Sequence, residues 1–141
     1  MEQTNESQTL LIDTNIFLEF LLKQERKDES VRLMQKVEQG KLKAYITSFS
    51  LHSIEVILDR QQHIRLLQQF LSRVLHAQGL AVYQTTAEEE QRVVMLMRKI
   101  GLDFDDALQY FVAKKLNARL ISFDRDFDRT DVQRLNPSDV L

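Results

Sequence analysis

The sequence predicts an α/β fold of three layers: a central, mostly parallel sheet of about five strands with helices on both faces. Short apolar runs alternate along the chain with segments whose apolar residues recur at helical spacing, and that alternation is the signature of a parallel sheet buried on both sides. Glycine occurs three times and proline once in 141 residues, which excludes a turn-dense all-β chain and a disordered one. The length suits one domain, expected over residues 9–141 behind a loose polar tail at 1–8.

The elements follow in order. Leu10, Leu11 and Ile12 form a short buried strand with Asp13 at its carboxyl end. Residues 16–22 read as an apolar helix and residues 23–30 as a charged turn. Val31, Met34 and Val37 recur at helical spacing, and Gly40 is a natural stop. Ala44 to Thr47 is the second strand, and Ser48 or Ser50 caps a helix carrying Leu51, Ile54, Glu55 and Leu58. Residues 63–77 form an amphipathic helix stopped by Gly79, and Leu80 to Tyr83 is the third strand. Thr86 and Glu89 make a capping box for a helix ended by Gly101. A helix over 104–116, a strand over 119–123 and a last short strand near 132–135 complete the chain before Pro137.

Composition narrows the function. The chain has no cysteine, so thiol catalysis, disulfides and zinc–thiolate sites are excluded. A net charge of −2 argues against non-specific electrostatic adhesion as the whole basis of any nucleic-acid binding. The first nine residues lack the basic start and apolar run of a signal peptide, and the apolar stretch 10–22 is interrupted by Asp13, Asn15 and Glu19. A soluble, cytoplasmic protein without membrane attachment is expected.

Open parallel sheets bind ligands beyond the carboxyl ends of their strands. Asp13 follows the first strand; Asp124 and Asp126 follow the fourth; Asp105 and Asp106 begin the helix leading into it; Glu55 lies one to two turns into the helix after the second. Singly, each has an ordinary reading as a helix cap, a dipole partner or a solvated loop acid. Together they place carboxylates from four segments at one sheet edge. Such groups repel one another unless a cation compensates them, and all-oxygen ligands suit magnesium or manganese. The three histidines, His52, His63 and His76, are scattered. Spacing alone does not decide between Asp105 and Asp106.

The strings Leu11-Ile12-Asp13-Thr14-Asn15, Ser50 to Leu58 with Glu55, Phe104-Asp105-Asp106-Ala107-Leu108, and Leu120 to Phe127 together resemble the four motifs of PIN-domain nucleases. The likeness covers roughly residues 10–135. Within that family, the size of the chain makes it most similar to the VapC-type toxins of toxin–antitoxin pairs. The resemblance implies a ribonuclease dependent on Mg2+ or Mn2+, with Asp13, Glu55, Asp106 and Asp124 as acid quartet and metal ligands. It prefers Asp106 because the family's acid directly precedes a small residue, here Ala107. It makes Asp126 an auxiliary ligand and gives Asn15 and Ser122 orienting roles. Arg125 and Arg129 are candidate phosphate contacts. Implied partners are RNA, an antitoxin and a second copy in a homodimer, for which the helices over 31–37 and 63–77 offer apolar surface. Tyr110 and Phe111 depart from the pattern by standing where many relatives carry two small residues.

Other readings are a PIN nuclease with a housekeeping RNA-processing role and a catalytically silent binding module of the same fold. A phosphatase on a doubly wound sheet would need a second Asp where Asn15 stands. A phosphorelay receiver would need an Asp after the middle strand, where Thr47 and Ser48 stand.

Overall fold

The computed structural model describes residues 9–141; the tail expected over 1–8 lies outside the described residues. Five strands, β1 (Leu10–Ile12), β2 (Ala44–Thr47), β3 (Leu80–Tyr83), β4 (Arg119–Ile121) and β5 (Arg134–Leu135), pair in the order β3-β2-β1-β4-β5. Every pairing is parallel. The chain builds outward from β1 through β2 and β3, then returns to the other side of β1 for β4 and β5. The strand order therefore reverses between β1 and β4, the place where an open parallel sheet leaves a crevice at its carboxyl edge.

Six helices cover the faces: α1 (Thr14–Leu21), α2 (Lys27–Glu38), α3 (Ser48–Arg60), α4 (Ile64–His76), α5 (Ala87–Ile100) and α6 (Phe104–Leu116). Strand alternation divides the core. Leu10 and Ile12 of β1 join Phe17, Leu33, Ile54, Leu58 and Phe70 on one face. Leu11 points the other way and joins Val93, Leu108, Val112, Leu120 and Phe127. On the first face, Phe17 meets Phe70 and Phe20 edge-on, with centroids 5.7 and 6.2 Å apart. On the second, Glu89 of the capping box accepts from the Tyr83 hydroxyl (2.7 Å), the Lys115 ammonium (2.5 Å) and the Thr86 amide (3.0 Å), tying β3, α5 and α6 together. Those donors hold its carboxyl down to about 2, the Lys115 hydrogen bond foremost.

Several local expectations are corrected. The charged turn over 23–30 is shorter, because α2 already begins at Lys27; Asp28 and Glu29 suit the amino end of the helix dipole, and Arg26 pairs with Glu29 at 2.9 Å. Thr47, not Ser48 or Ser50, caps α3: its hydroxyl accepts from the Ser50 amide at 3.0 Å. The first helix starts at Thr14 rather than residue 16, because Asp13 caps it. The fourth strand stops at Ile121 rather than residue 123, and the last strand is confined to Arg134–Leu135. Gly101 ends α5 in the left-handed region at φ 67. Gly79 serves a different need, close approach: a Cβ there would lie 2.1 Å from the Leu42 carbonyl oxygen and 2.7 Å from that of Val37.

Those two glycines generate a comparison. Gly79→Ala should lower unfolding free energy by roughly 3 kcal/mol or more, because backbone must move. Gly101→Ala, which meets no atom within 4 Å, should cost only the left-handed strain of about 1 kcal/mol. Urea unfolding of both variants measures the ranking; equal losses would contradict it.

Candidate active site

Asp13 leaves β1 with its amide still bound to the Ile121 carbonyl at 2.9 Å, so the β1–β4 ladder fixes its backbone. Its extended backbone starts α1, and its Oδ1 accepts from the Thr14 amide at 2.8 Å. The other oxygen, Oδ2, accepts from the Ser122 hydroxyl at 2.7 Å. Asp13 is thus a helix cap and also a buried acid, 4% exposed. Asn15 completes the clamp: Nδ2 lies 3.4 Å from Asp13 Oδ2 and 3.3 Å from Ser122 Oγ, and Oδ1 accepts from the Phe123 amide at 3.3 Å. Ser122 Oγ also accepts from the Asp124 amide at 3.0 Å. The expected orienting residues Asn15 and Ser122 therefore sit between the ends of β1 and β4, joined to the backbone of both acidic segments.

Asp124 caps a 3-10 turn over Arg125–Arg129, its Oδ1 accepting from the Asp126 amide at 2.9 Å. Across the crevice, Asp103 caps α6 by accepting from the Asp106 amide at 3.0 Å, which places Asp105 and Asp106 in the first turn. Asp106, Asp124 and Asp126 each bring one carboxylate oxygen within 4.8 Å of the others. Sequence reasoning missed Asp103, although an Asp directly before a helical run is a legible cap.

The charges confirm the crowding. Burial pushes the Asp13 carboxyl up to about 6, against the Ser122 hydrogen bond, and the charges of Asp105 and Asp124 add to the rise. Asp106 is pushed up to about 8: burial leads, followed by the charge of Asp124, a proton-mediated hydrogen bond to it, and the charges of Asp103 and Asp13. Asp105 is raised too, by burial and then by Asp103 and Asp124. Among the described residues, the ion pair reaching this group is Arg129 to Asp126 at 3.9 Å, with both side chains exposed.

Glu55 is not brought into that trio. Its Oε1 lies 3.1 Å from His52 Nδ1, on the half-exposed side of α3, and its charge is not among the causes that raise Asp13 or Asp106. A polar network beneath the site does reach α3. Ser50 Oγ lies 2.7 Å from Thr14 Oγ1, 3.1 Å from Thr47 Oγ1 and 2.6 Å from Gln109 Nε2, joining the amino ends of α1 and α3 to α6. Arg125 makes no side-chain hydrogen bond or ion pair among the described residues. The Lys114 ammonium meets Asp131 at 2.8 Å.

The donor set is entirely oxygen, supplied by acids that resist ionising together. It fits a hard divalent cation, whose charge would offset the repulsion, and offers nothing to a thiophilic metal. Without such an ion the acids oppose folding as they ionise. Asp13 ionises less readily when folded than when unfolded, where its value is near 3.8. Its destabilising contribution is therefore absent below pH 4, grows through about pH 6 and is complete above. In chelator-treated protein, Asp13→Asn should match the parent near pH 4 and exceed it by roughly 2–3 kcal/mol above pH 7. Urea unfolding across that range checks it; a variant less stable at pH 7 would show that the carboxylate charge is structurally required.

The PIN domain family model matches residues 10–133. No curated protein matches the chain. Solved structures do. The Mycobacterium tuberculosis toxin VapC20, described as cleaving the sarcin–ricin loop, superposes with a TM-score of 0.74 at 18% identity over 91% of this chain and 99% of that one. VapBC2 from Rickettsia felis, bound to a promoter DNA fragment, gives a TM-score of 0.67 at 20% identity over 91% and 98%. FitAcB from Neisseria gonorrhoeae gives 0.65 at 17% over 92% and 98%. These likenesses carry the fold, including the five-stranded parallel sheet. The family match carries more, spanning the β1, α3, α6 and β4 segments that supply the acids: the chain belongs to the PIN domain family.

Proposed function

We propose that this protein is a divalent-metal-dependent endoribonuclease and the toxin of a type II toxin–antitoxin pair. The observation that carries the reading is the oxygen trio of Asp106, Asp124 and Asp126 within 4.8 Å, with buried Asp13 beside it at the strand-order reversal. Solved relatives described as a VapC toxin and as toxin–antitoxin complexes support the biological role. Within this reading, Asp13, Asp106 and Asp124 hold Mg2+ or Mn2+, and Asp126 assists from the rim. Glu55 is the fourth acid of the quartet, approached from α3. When bound, the cation supplies Lewis-acid stabilisation to a phosphoryl group and acidifies water.

The chain's own residues do the rest. Ser122 donates to Asp13 Oδ2 and so keeps that oxygen's lone pairs directed. Asn15 locks Ser122 and the Phe123 backbone in the same geometry. Arg125 and Arg129, on the turn that begins at Asp124, meet backbone phosphate. Hydrolysis adds water across the phosphodiester, breaking one P–O bond and leaving a hydroxyl on the departing strand.

An antitoxin protein and a second copy of the chain are the proposed protein partners. The apolar positions of α2 are absorbed by the core, with Met34 and Val37 buried. In α4, Leu75 stays 78% exposed and Ile64 50% exposed, so α4 is the better surface for a two-fold dimer. No helix among the described residues is long and apolar enough to cross a membrane.

Cleavage of a single-stranded RNA with manganese, assayed on the parent and on Asp13→Asn, tests the reading. The parent should cleave, and the variant should lose at least about 100-fold in rate while remaining folded. Ser122→Ala, which leaves every acid in place, should lose roughly tenfold. Full cleavage by Asp13→Asn in nuclease-free preparations would overturn the mechanism.

A further inference from the structure

A cleft of about 530 Å³ opens beside the acidic crevice. Phe49, His52, Ser53 and Val56 of α3 form one wall, and Gln84 and Thr85, in the loop leaving β3, form the other. These segments follow the carboxyl ends of β2 and β3, whereas the acids follow β1 and β4. With the order β3-β2-β1-β4-β5, cleft and acids share one edge of the sheet, one to three strand spacings apart, roughly 5–15 Å, β2 and β1 being the nearest pair. Two contacts join them. Phe49 packs edge-on against Phe104, the residue before Asp105, with centroids 5.8 Å apart. His52, in the cleft wall, reaches Glu55 at 3.1 Å.

The chemistry of the lining selects its occupant. Among the described residues no lysine or arginine lines the cleft, and the one carboxylate that does, Glu90, would repel a phosphate. What the wall offers is an aromatic and aliphatic surface from Phe49 and Val56, bordered by the neutral hydrogen-bonding groups of Ser53 and Gln84. The Thr85 hydroxyl is already committed to Glu90 at 2.5 Å. A flat, uncharged ring system with polar edges fits such a lining, whereas a sugar–phosphate backbone does not.

We infer that this cleft binds an unstacked nucleobase of the RNA strand whose neighbouring phosphate lies at the acids, so that α3 and the loop after β3 set base preference beside the scissile bond. The inference rests on the ribonuclease reading and adds to it the place where sequence is read. Gln84 is the residue placed to meet the base edge: it is exposed and lies on a loop. Val56 is 45% exposed at the mouth.

Short single-stranded RNAs in which each position in turn is made abasic, cleaved with manganese, test it alongside a fully abasic oligoribonucleotide, a phosphodiester chain with no base or other ring to fill the cleft. For the parent, one abasic position next to the cleaved bond should lower kcat/KM at least about tenfold. In Val56→Trp, which narrows the cleft, the ratio of RNA to fully abasic strand cleavage should fall by a similar factor. Gln84→Ala, a surface truncation that spares the fold, should change which base is preferred at that position. If both variants keep the parent's ratio and base preference, the cleft reads no base; a protein side chain is then its better occupant, and the nuclease reading stands. If the parent cleaves neither substrate, the nuclease reading fails and takes this inference with it.

Discussion

Everything at the carboxyl edge of this sheet depends on holding mutually repelling aspartates close together in a partly dry crevice. The device that does so is the parallel pairing of β1 with β4. It sets Asp13 beside Ser122 at 2.7 Å, and Ser122 in turn holds the Asp124 amide at 3.0 Å. One hydroxyl thus serves two acidic segments separated by more than a hundred residues of chain. The rest of the fold, from the divided apolar core to the Glu89 knot between β3, α5 and α6, provides the rigidity that such a cluster needs when burial and like charge both oppose ionisation.

Local capping and the gathering of acids are not competing explanations here. Asp13, Asp103 and Asp124 each cap the element that follows, accepting from Thr14, Asp106 and Asp126 respectively. Each cap uses one oxygen; that of Asp13 leaves the other to the Ser122 hydroxyl, and Asp124 still brings a carboxylate oxygen to the trio. The same side chains that start the helices therefore assemble the site, which is economical in a chain of 141 residues. It also explains why Asp13, which singly reads as a helix cap, reads as a site acid once the four acidic segments are taken together.

Much of this was legible in the sequence because it is written in local pattern. Short apolar runs marked β1 to β4, Thr86 and Glu89 announced the capping box, and Gly101 marked the end of α5. Asp13, Asp106, Asp124 and Asp126 could be placed at one edge because strand ends and helix starts share it in any open parallel sheet, whereas Glu55, deeper in α3, meets His52 instead. What was illegible depends on through-space partners. α2 starts early where the Arg26 amide donates to Glu19 Oε2 at 2.6 Å, and Thr47 rather than a serine caps α3 because the Thr47 hydroxyl meets the Ser50 amide. Asp103 was legible as a cap before a helical run; what its position alone did not show is the charge it adds to Asp105 and Asp106. The His52–Glu55 contact and the buried Ser50–Gln109 bond join residues whose relation exists only after folding or on a helix face.

The central claim is that the acids are gathered to hold a divalent cation, and calorimetric titration of chelator-treated protein with manganese at pH 7, in two buffers of different ionisation enthalpy, tests it most directly. Burial and the charge of Asp124 push the Asp106 carboxyl well above the usual carboxylate range, so the crowded acids retain protons that a bound cation displaces. The account predicts binding with net proton release, both abolished when Asp106 and Asp124 are changed together to Asn. Absence of binding at millimolar manganese, or binding that survives the double substitution unchanged, would contradict it.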